Sequence, residues 1–227
     1  MIDLRNVTLA YVQPDGTRRT ILEGVSTRVA RGEHVYLVGA TGSGKTSLLR
    51  MLYMDARPEK GVTQVGDYRS DTVRDAEIPY LRRSLGVVFQ DFQLLPDRSV
   101  FENVAFPLYV TGKSGPGVKT KALAALARVG LAHKQARFPH ELSGGEQQRV
   151  VIARAIVGDP WILLADEPTG NLDPAVGDEI MKLLLALHGQ GMTLVMATHD
   201  YRIVKKYPAR TLALHERGII EIDPQGL

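Results

Sequence analysis

The chain has 227 residues, of which 44% are hydrophobic and 23% charged, and its formal net charge is +3. This length allows one large domain or two small ones, and the composition is typical of a globular protein. The absence of cysteine excludes a disulfide scaffold, a thiolate metal site and a cysteine nucleophile. The sequence shows no block of like charges, no apolar leader and no apolar stretch long enough to span a membrane, so we expect a cytoplasmic protein.

The first part of the chain predicts strands and one helix. Apolar and polar residues alternate over residues 2–7, which predicts a strand, and residues 9–12 predict another. The turn sequence at residues 13–16, Gln-Pro-Asp-Gly, indicates a hairpin here. Residues 33–38 are an apolar run typical of a strand buried on both faces, and leucines at helical spacing follow at residues 48–52.

The rest of the chain alternates helical patterns with buried strands. In chain order we expect helices at residues 119–129, 143–157 and 176–187, strands at residues 161–165 and 192–197, and a closing hairpin at residues 211–222. Strands that alternate with helices predict a mixed α/β fold with a mostly parallel sheet.

A glycine-rich segment at residues 39–46, Gly-Ala-Thr-Gly-Ser-Gly-Lys-Thr, matches the pattern G-x-x-x-x-G-K-[ST] between a predicted strand and a predicted helix. Such a loop directs backbone N–H groups at phosphate oxygens, Lys45 neutralises the β- and γ-phosphates, and the Thr46 hydroxyl is a Mg²⁺ ligand. The alternative is a chance glycine-rich turn. The residues that we expect to contact ATP here are Gly39, Thr41, Gly42, Ser43, Gly44, Lys45, Thr46 and Ser47.

Two carboxylates, Asp166 and Glu167, follow the predicted strand at residues 161–165. Carboxylates at the end of a buried strand are costly unless something compensates them, and a metal ion beside a phosphate would do so. We therefore expect Asp166 to face the same Mg²⁺ as Thr46, and Glu167 to polarise a water for attack on the γ-phosphate. The alternative is a solvated turn.

The segment Leu-Ser-Gly-Gly-Glu-Gln at residues 142–147 precedes a helical pattern. Ser143 and Glu146 fit a capping box, which is a purely structural interpretation. Capping is compatible with function, because Gly144 and Gly145 would leave N–H groups exposed to an anion. The phosphate held by Lys45 already has its own helix N-terminus, so we expect this second one to close on the nucleotide of another copy of the chain.

In combination, the phosphate loop, the LSGGEQ segment, the strand ending in Asp-Glu and a later histidine after a strand resemble the nucleotide-binding subunit of ABC-type ATPases. The resemblance covers the whole chain in order. It implies a P-loop NTPase core at residues 1–90 and 159–227 with an N-terminal antiparallel β subdomain, and an inserted α-helical subdomain at residues 91–158. It also implies a homodimer that sandwiches two ATP molecules with Mg²⁺ and hydrolyses them.

The same resemblance implies roles for individual residues. Ser143, Gly144 and Gly145 would contact the γ-phosphate bound to the opposite subunit. Gln90 resembles the Q-loop residue, which links Mg²⁺ and water to the helical subdomain, although a lone glutamine is more often a surface residue. Asp173, in Asn-Leu-Asp at residues 171–173, resembles the D-loop that touches the opposite site.

Two further residues are implied in the same way. His199 resembles the switch histidine that hydrogen-bonds the γ-phosphate, although it could instead cap the next helix. Tyr11 resembles the aromatic residue that stacks on adenine, although a strand tyrosine often only packs.

Residues 86–108 and 207–210 resemble the cell-division members of this family, whereas the filling of the phosphate loop at residues 40–43 departs from their usual sequence. The segment Asp-Glu-Pro-Thr-Gly-Asn-Leu-Asp-Pro at residues 166–174 is shared with lipoprotein-release and macrolide-export ATPases, which stay open as alternatives. By resemblance, a helix of an integral membrane partner docks between Gln90 and Leu108. Part of this apolar segment must be core, and an exposed subset would form the docking patch.

Two other functional classes can be weighed. A soluble ABC protein acting on nucleic acid usually needs a second ATPase domain, a coiled-coil insertion or a strongly basic surface, and we see none, so no direct nucleic-acid binding is expected. A nucleotide-gated scaffold that barely hydrolyses is disfavoured by the intact Asp166, Glu167 and His199, which leave slow hydrolysis possible.

Overall fold

A computed structural model describes residues 1–226, which form two compact units. The first unit comprises Met1–Arg82 together with the chain from Thr193 onward, and the second is Arg83–Met192. The predicted helical subdomain, residues 91–158, falls inside the second unit, and its boundaries stay a prediction. No helix in the described part of the chain is long and apolar enough to cross a membrane.

The first unit contains two groups of paired strands. Its strands are β1 (Ile2–Val12), β2 (Arg18–Val29), β3 (His34–Val38), β4 (Lys60–Val65), β5 (Tyr68–Arg69), β8 (Thr193–Thr198), β9 (Arg210–His215) and β10 (Gly218–Ile222), and its helices are α1 (Lys45–Leu52), α2 (Ile78–Arg83, at the boundary) and α7 (Tyr201–Lys206). One sheet has the order β2-β1-β4-β5 and is antiparallel. In the other group β3 pairs in parallel with β8 and β9, and β10 is antiparallel to β9.

The N-terminal hairpin is confirmed, with one correction. The separate strands predicted at residues 2–7 and 9–12 are a single strand, β1, which pairs with β2 across the turn that Pro14 and Gly16 occupy. The break in the sequence pattern instead marks register shifts between Leu4 and Ala10. Bulges of this kind let a strand continue while its side-chain alternation is interrupted.

The second unit combines a pair of parallel strands with packed helices. Its elements are β6 (Leu85–Val88), α3 (Val100–Val110), α4 (Pro116–Arg128), α5 (Gly144–Ile156), β7 (Ile162–Asp166) and α6 (Pro174–His188). Strand β6 pairs in parallel with β7, from Leu85 opposite Ile162 to Val88 opposite Ala165. Helices α3, α4 and α5 pack on one another through fully buried side chains such as Leu108, Leu126 and Ile152.

The predicted α/β class and most of the predicted elements are confirmed. All five residues of β3 are buried, as expected for a strand covered on both faces. The helices predicted from 119, 143 and 176 onward are α4, α5 and α6, and the closing hairpin is β9–β10. The sequence patterns did not single out β4, β5, α2, β6 or α3 as elements.

Strand β6 and helix α5 approach each other closely in the second unit. A Cβ atom added at Gly86 would lie 2.7 Å from the carbonyl oxygen of Ala155 and 2.9 Å from a methyl group of Leu163. Only glycine therefore lets the last turn of α5 rest on the backbone of β6.

We expect Gly86→Ala to destabilise the protein by about 1–3 kcal/mol, because the added methyl group overpacks this contact. Gly117→Ala is the matched control: position 117 lies in α4 with open space around it, and alanine there should stabilise by up to about 1 kcal/mol. Urea unfolding measures both changes. Equal effects of the two substitutions would contradict the close approach.

Candidate functional site

The phosphate loop joins β3 to α1 in the first unit, as the sequence predicts. Gly39 has φ +148°, and a Cβ there would lie 2.8 Å from the carbonyl oxygen of Leu214. Gly44, the N-cap residue of α1, has φ +106°, and a Cβ would lie 2.7 Å from a methyl group of Ile21. Both positions combine a left-handed backbone with a close neighbour, so the loop requires glycine there.

The start of α1 fits an anionic ligand. Within residues 1–226 no side chain caps this helix, so its first N–H groups lack the partner that a cap would provide. The Lys45 ammonium group is buried and donates to the carbonyl oxygens of Gly39 (2.8 Å) and Ala40 (3.3 Å). The Ser43 hydroxyl is buried without a hydrogen-bond partner, whereas Thr46 is exposed. This donor set suits the phosphates of ATP, and the Thr46 hydroxyl oxygen suits Mg²⁺.

Two other predicted residues lie in the first unit. Tyr11 is half-buried on β1, and its phenolic oxygen is buried without a hydrogen-bond partner, which leaves only part of its ring for stacking. His199 is exposed directly after β8. It does not cap α7, because the Asp200 carboxylate accepts hydrogen bonds from the N–H groups of Arg202 (3.0 Å) and Ile203 (3.3 Å). The capping alternative for His199 is therefore wrong.

The acidic pair lies at the carboxyl end of β7 in the second unit. Asp166 is the last residue of the strand and is half-buried, while Glu167 is only 8% exposed. Glu167 has φ +47°, a left-handed conformation that costs a non-glycine residue about 1–3 kcal/mol. A buried carboxylate in a strained conformation is typical of functional sites, where the surrounding structure holds the strain.

The LSGGEQ segment forms the start of α5 and contains the predicted capping box. The Ser143 hydroxyl accepts from the Glu146 N–H (3.3 Å), and the Glu146 carboxylate accepts from the Ser143 N–H (3.0 Å). Hydrogen bonds from Lys134 and from the Ser143 backbone, in that order of size, lower the pKa of Glu146. The box uses neither the Gly144 nor the Gly145 N–H group, which occupy the first two helical positions.

The two glycines of this segment differ in their surroundings. A Cβ on Gly145 would lie 2.5 Å from a methyl group of Val176 at the start of α6, whereas one on Gly144 would meet only ordinary contacts, with Leu172 at 3.5 Å the nearest. Gly145 is therefore required by packing irrespective of any ligand. The capping and packing contacts together restrict the residue types that fit at positions 143, 145 and 146.

The Q-loop is the segment after β6, and its backbone is held by contacts that sequence reasoning missed. Gln90 is exposed, and its carbonyl oxygen accepts from the side-chain amide of Asn171 (3.3 Å). The Arg154 guanidinium donates to the carbonyl oxygens of Phe92 (3.0 Å) and Gln93 (2.6 Å). The one sequence signal for Arg154 is a cation within an otherwise apolar run of α5.

Asp173 lies in the predicted D-loop and is exposed. It is the N-cap residue of α6, and its backbone carbonyl accepts from the Gly177 N–H (2.8 Å), whereas its side chain makes no capping hydrogen bond in the described part of the chain. The Asp173 carboxylate is thus not used by the helix that it begins.

The fold and these loops define a nucleotide-binding cassette, and the comparisons agree. Residues 22–170 match the family "ABC transporter". Two solved dimeric structures of the ATP-binding cassette MJ0796, one described as a post-hydrolysis state bound to ADP and Pi, are 33% and 34% identical with TM-scores of 0.87 and 0.88. Each comparison covers 100% of both chains.

Curated relatives are similar over their whole length. The cell division ATP-binding protein FtsE of Bacillus subtilis is 45% identical over 226 residues, which is 100% of this chain and 97% of the relative. FtsE of Escherichia coli K12 is 43% identical over 95% of this chain and 96% of its own, and FtsE of Mycobacterium tuberculosis is 41% identical over 100% and 97%. The chain therefore belongs to the ABC transporter family, within its FtsE group of cell-division ATPases, and is an ATPase that uses ATP with Mg²⁺.

We expect Gly145→Ala to destabilise the protein by about 1–3 kcal/mol, because the methyl group displaces Val176. Gly144→Ala, the control, should change the free energy of unfolding far less. Adding Val176→Ala should reverse part of the Gly145→Ala effect, because it removes the clashing methyl groups. Urea unfolding of the four variants measures this coupling, and strict additivity of the two substitutions would contradict the packing role.

Proposed function

We propose that this chain is the ATP-driven subunit of a bacterial cell-division complex, and that it acts on an FtsX-like integral membrane protein to control peptidoglycan hydrolysis. It would be cytoplasmic and lie on the inner face of the cell membrane through that partner. The observation that carries the proposal is the full-length similarity to FtsE of several bacteria, combined with an uncapped phosphate-loop helix. The roles below follow the family resemblance and the local contacts within each unit.

In the first unit we assign nucleotide binding to the phosphate loop. The N–H groups at the start of α1 would bind phosphate oxygens, and Lys45 would exchange its present carbonyl partners for the β- and γ-phosphates. Thr46 would be a Mg²⁺ ligand, for which its exposure is favourable. Tyr11 would contact adenine with the accessible part of its ring, and His199 would hydrogen-bond the γ-phosphate.

In the second unit we assign the hydrolytic chemistry to Glu167. Its carboxylate would accept a proton from the attacking water, and burial favours this role because a carboxylate screened from solvent interacts more strongly with a nearby charge. Asp166 and Gln90 would be Mg²⁺ ligands, with Gln90 also hydrogen-bonding the water. Bound Mg²⁺ would screen the negative charge of the phosphates.

We further propose that ATP joins two copies of the chain. The N–H groups of Gly144 and Gly145 and the Ser143 hydroxyl would close on the γ-phosphate held by the other copy, and Asp173 of the same copy as Ser143 would touch that opposite site as well. The capping box supports this because it fixes the helix start while leaving these two N–H groups unused. The dimeric MJ0796 structures are relatives in which two cassettes associate.

The membrane partner would dock on the surface that begins in the Q-loop. Within the predicted segment, Val104 and Leu108 belong to the core, whereas Phe106 is 47% exposed. The exposed apolar surface continues on α3 to Tyr109 (49%) and Val110 (67%), beyond the predicted limit at Leu108. We define the docking patch as Phe106, Tyr109 and Val110.

We expect Glu167→Gln to lower the ATPase rate by about 10²–10⁴-fold, because glutamine cannot accept the proton, while ATP binding persists and a dimer accumulates. Phosphate release measures the rate, and light scattering with ATP and Mg²⁺ measures the dimer. Glu216→Gln is the control, since Glu216 also has φ +47° but is exposed. Ser143→Arg added to Glu167→Gln should prevent the dimer. A dimer despite Ser143→Arg, or turnover at the parent rate by Glu167→Gln, would contradict the assignment.

We expect Phe106→Ser with Tyr109→Ser to abolish co-purification of the full-length chain with an integral membrane protein from bacterial membranes. The ATPase rate of the purified chain should not change, because neither side chain belongs to the proposed site. Ile220→Ser, which alters an exposed apolar residue (53%) on β10, is the control. A captured partner with few spans and a large extracytoplasmic domain supports the FtsX-like assignment. A many-spanning partner, or capture by the double variant, would contradict it.

A further inference from the structure

Arg154 is a cation in an apolar stretch of α5. Its neighbours Val151, Ile152, Ala153 and Ile156 are fully or almost fully buried. It lies ten residues after Gly144, which corresponds to about 15 Å along the helix. An arginine in the last turn is favourable for the helix dipole, and the contacts of this guanidinium group indicate a second role.

These contacts are with main-chain carbonyl groups. Arg154 donates to the carbonyl oxygens of Gln93 (2.6 Å) and Phe92 (3.0 Å), and in the part of the chain that the structure describes it has no carboxylate partner. Burial lowers the pKa of Arg154, yet an arginine stays charged at neutral pH. A partly buried guanidinium that is compensated by carbonyl dipoles loses those bonds if the segment moves, which couples it to the position of the backbone.

The helix turn that carries Arg154 is itself fixed. The next residue, Ala155, is in close approach to Gly86 in β6, and this strand leads directly to Gln90. The guanidinium therefore extends from a rigid contact with the strand to the loop that follows the same strand.

The loop that Arg154 holds is strained. Gln93 has φ +47°, a conformation that a glutamine keeps only when other contacts stabilise it. Asn171 holds the carbonyl oxygen of Gln90 at the other end of the segment. Residues 90–93 are thus held by a side chain at each end, while the Gln90 side chain between them stays exposed.

We infer that Arg154 is a positioning residue that fixes the Q-loop backbone so that Gln90 is held in place for its role in ATP hydrolysis. This inference rests on the proposed function, because the role of Gln90 in ATP hydrolysis is itself proposed. It assigns no chemistry to Arg154. It makes α5 a rigid link between the glycine pair at its start and the Q-loop near its end.

A purely structural role would give a different result, and Arg149 provides the comparison. Arg149 lies on the same helix, donates to the carbonyl oxygen of Val129 (3.3 Å) and pairs with Glu179 (3.0 Å), and in the described part of the chain it makes no hydrogen bond to the Q-loop. Each arginine donates to two groups outside α5, so substitution of either one removes two such bonds from the helix. Loss of Arg154 alone should affect the Q-loop.

The first measurement is hydrogen exchange of the full-length chain without nucleotide. In Arg154→Ala, the amides of residues 90–95 should exchange faster, with little change elsewhere in α3 and α4. Arg149→Ala should leave these amides at the parent rate. Arg154→Lys should restore protection only in part, because an ammonium group is a point donor that does not span two carbonyl oxygens as the planar guanidinium fork does. Unchanged exchange at 90–95 in Arg154→Ala would overturn the inference.

The second measurement is a double-mutant cycle in steady-state ATP hydrolysis. Arg154→Ala should lower kcat by about tenfold to a hundredfold, as expected when a catalytic group is displaced by about an ångström, and should leave the KM for ATP within about twofold. With Gln90→Ala already present, Arg154→Ala should cause almost no further loss, because both substitutions remove the same function.

The outcomes distinguish the positioning role of Arg154 from the assignment of Gln90 to ATP hydrolysis. If Gln90→Ala lowers kcat but Arg154→Ala adds its full effect on top, the positioning role is wrong while the assignment of Gln90 stands. If Gln90→Ala leaves kcat unchanged, the assignment of Gln90 is wrong and the inference is overturned with it. A fall in kcat for Arg149→Ala equal to that for Arg154→Ala would show a general effect of α5 and would also overturn the inference.

Discussion

The N–H groups at the start of α1 are the constraint on which the rest of the site depends. Helices α3 and α5 have capping boxes and α7 is capped by Asp200, while α4 and α6 begin with prolines, each of which removes one N–H group. Helix α1 has neither device. Its donors are left for a ligand, and the two close approaches at Gly39 and Gly44 hold the loop in the conformation that exposes them. The groups that bind the ligand in such a site belong to the backbone, so the residue type that the sequence must supply there is glycine.

The start of α5 differs from the start of α1, because contacts within the protein stabilise it without a ligand. Its capping box uses the Ser143 hydroxyl and the Glu146 carboxylate, and the latter is also paired with Lys134. Gly145 is required by the packing of Val176. The segment therefore has structural reasons for three of its residues. Loss of activity on substitution of Gly145 or Glu146 is weak evidence for phosphate contact, and Gly144 is the cleaner position at which to examine it.

Local patterns in the sequence predicted most elements of the fold, the phosphate loop, the acidic pair and the start of α5, whereas the Q-loop, the D-loop and the role of His199 came from the family resemblance. They succeeded because buried strands such as β3, capping residues such as Ser143 and the phosphate-loop glycines are determined by neighbours in the chain. They failed for β1, where bulges interrupt the alternation within one strand, and they did not single out β4, β5, α2, β6 or α3. Alternation reports a strand only while its pairing register is constant.

The contacts of the Q-loop could not be predicted for a related reason. Arg154 bonds to carbonyl oxygens 61 and 62 residues earlier in the chain, and Asn171 bonds to one 81 residues earlier. A carbonyl group is common to every residue, so no residue type at positions 90–93 signals that its backbone is held. Of the two groups in a contact between a side chain and the main chain, only the side chain can be recognised from the sequence. Here it is visible only as a polar residue among apolar neighbours.

This asymmetry suggests where control of the Q-loop lies. The residues of the loop can vary in side chain while their carbonyl groups keep the same partners, whereas Arg154 and Asn171 each supply a specific donor. Because Arg154 is anchored beside the contact of Ala155 with Gly86, a displacement of the loop must either break the bonds to this partly buried charge or move the end of α5 with it. The second course would separate Ala155 from Gly86, so it also costs packing contacts. The Q-loop is therefore held to the end of the helix that begins with the glycine pair.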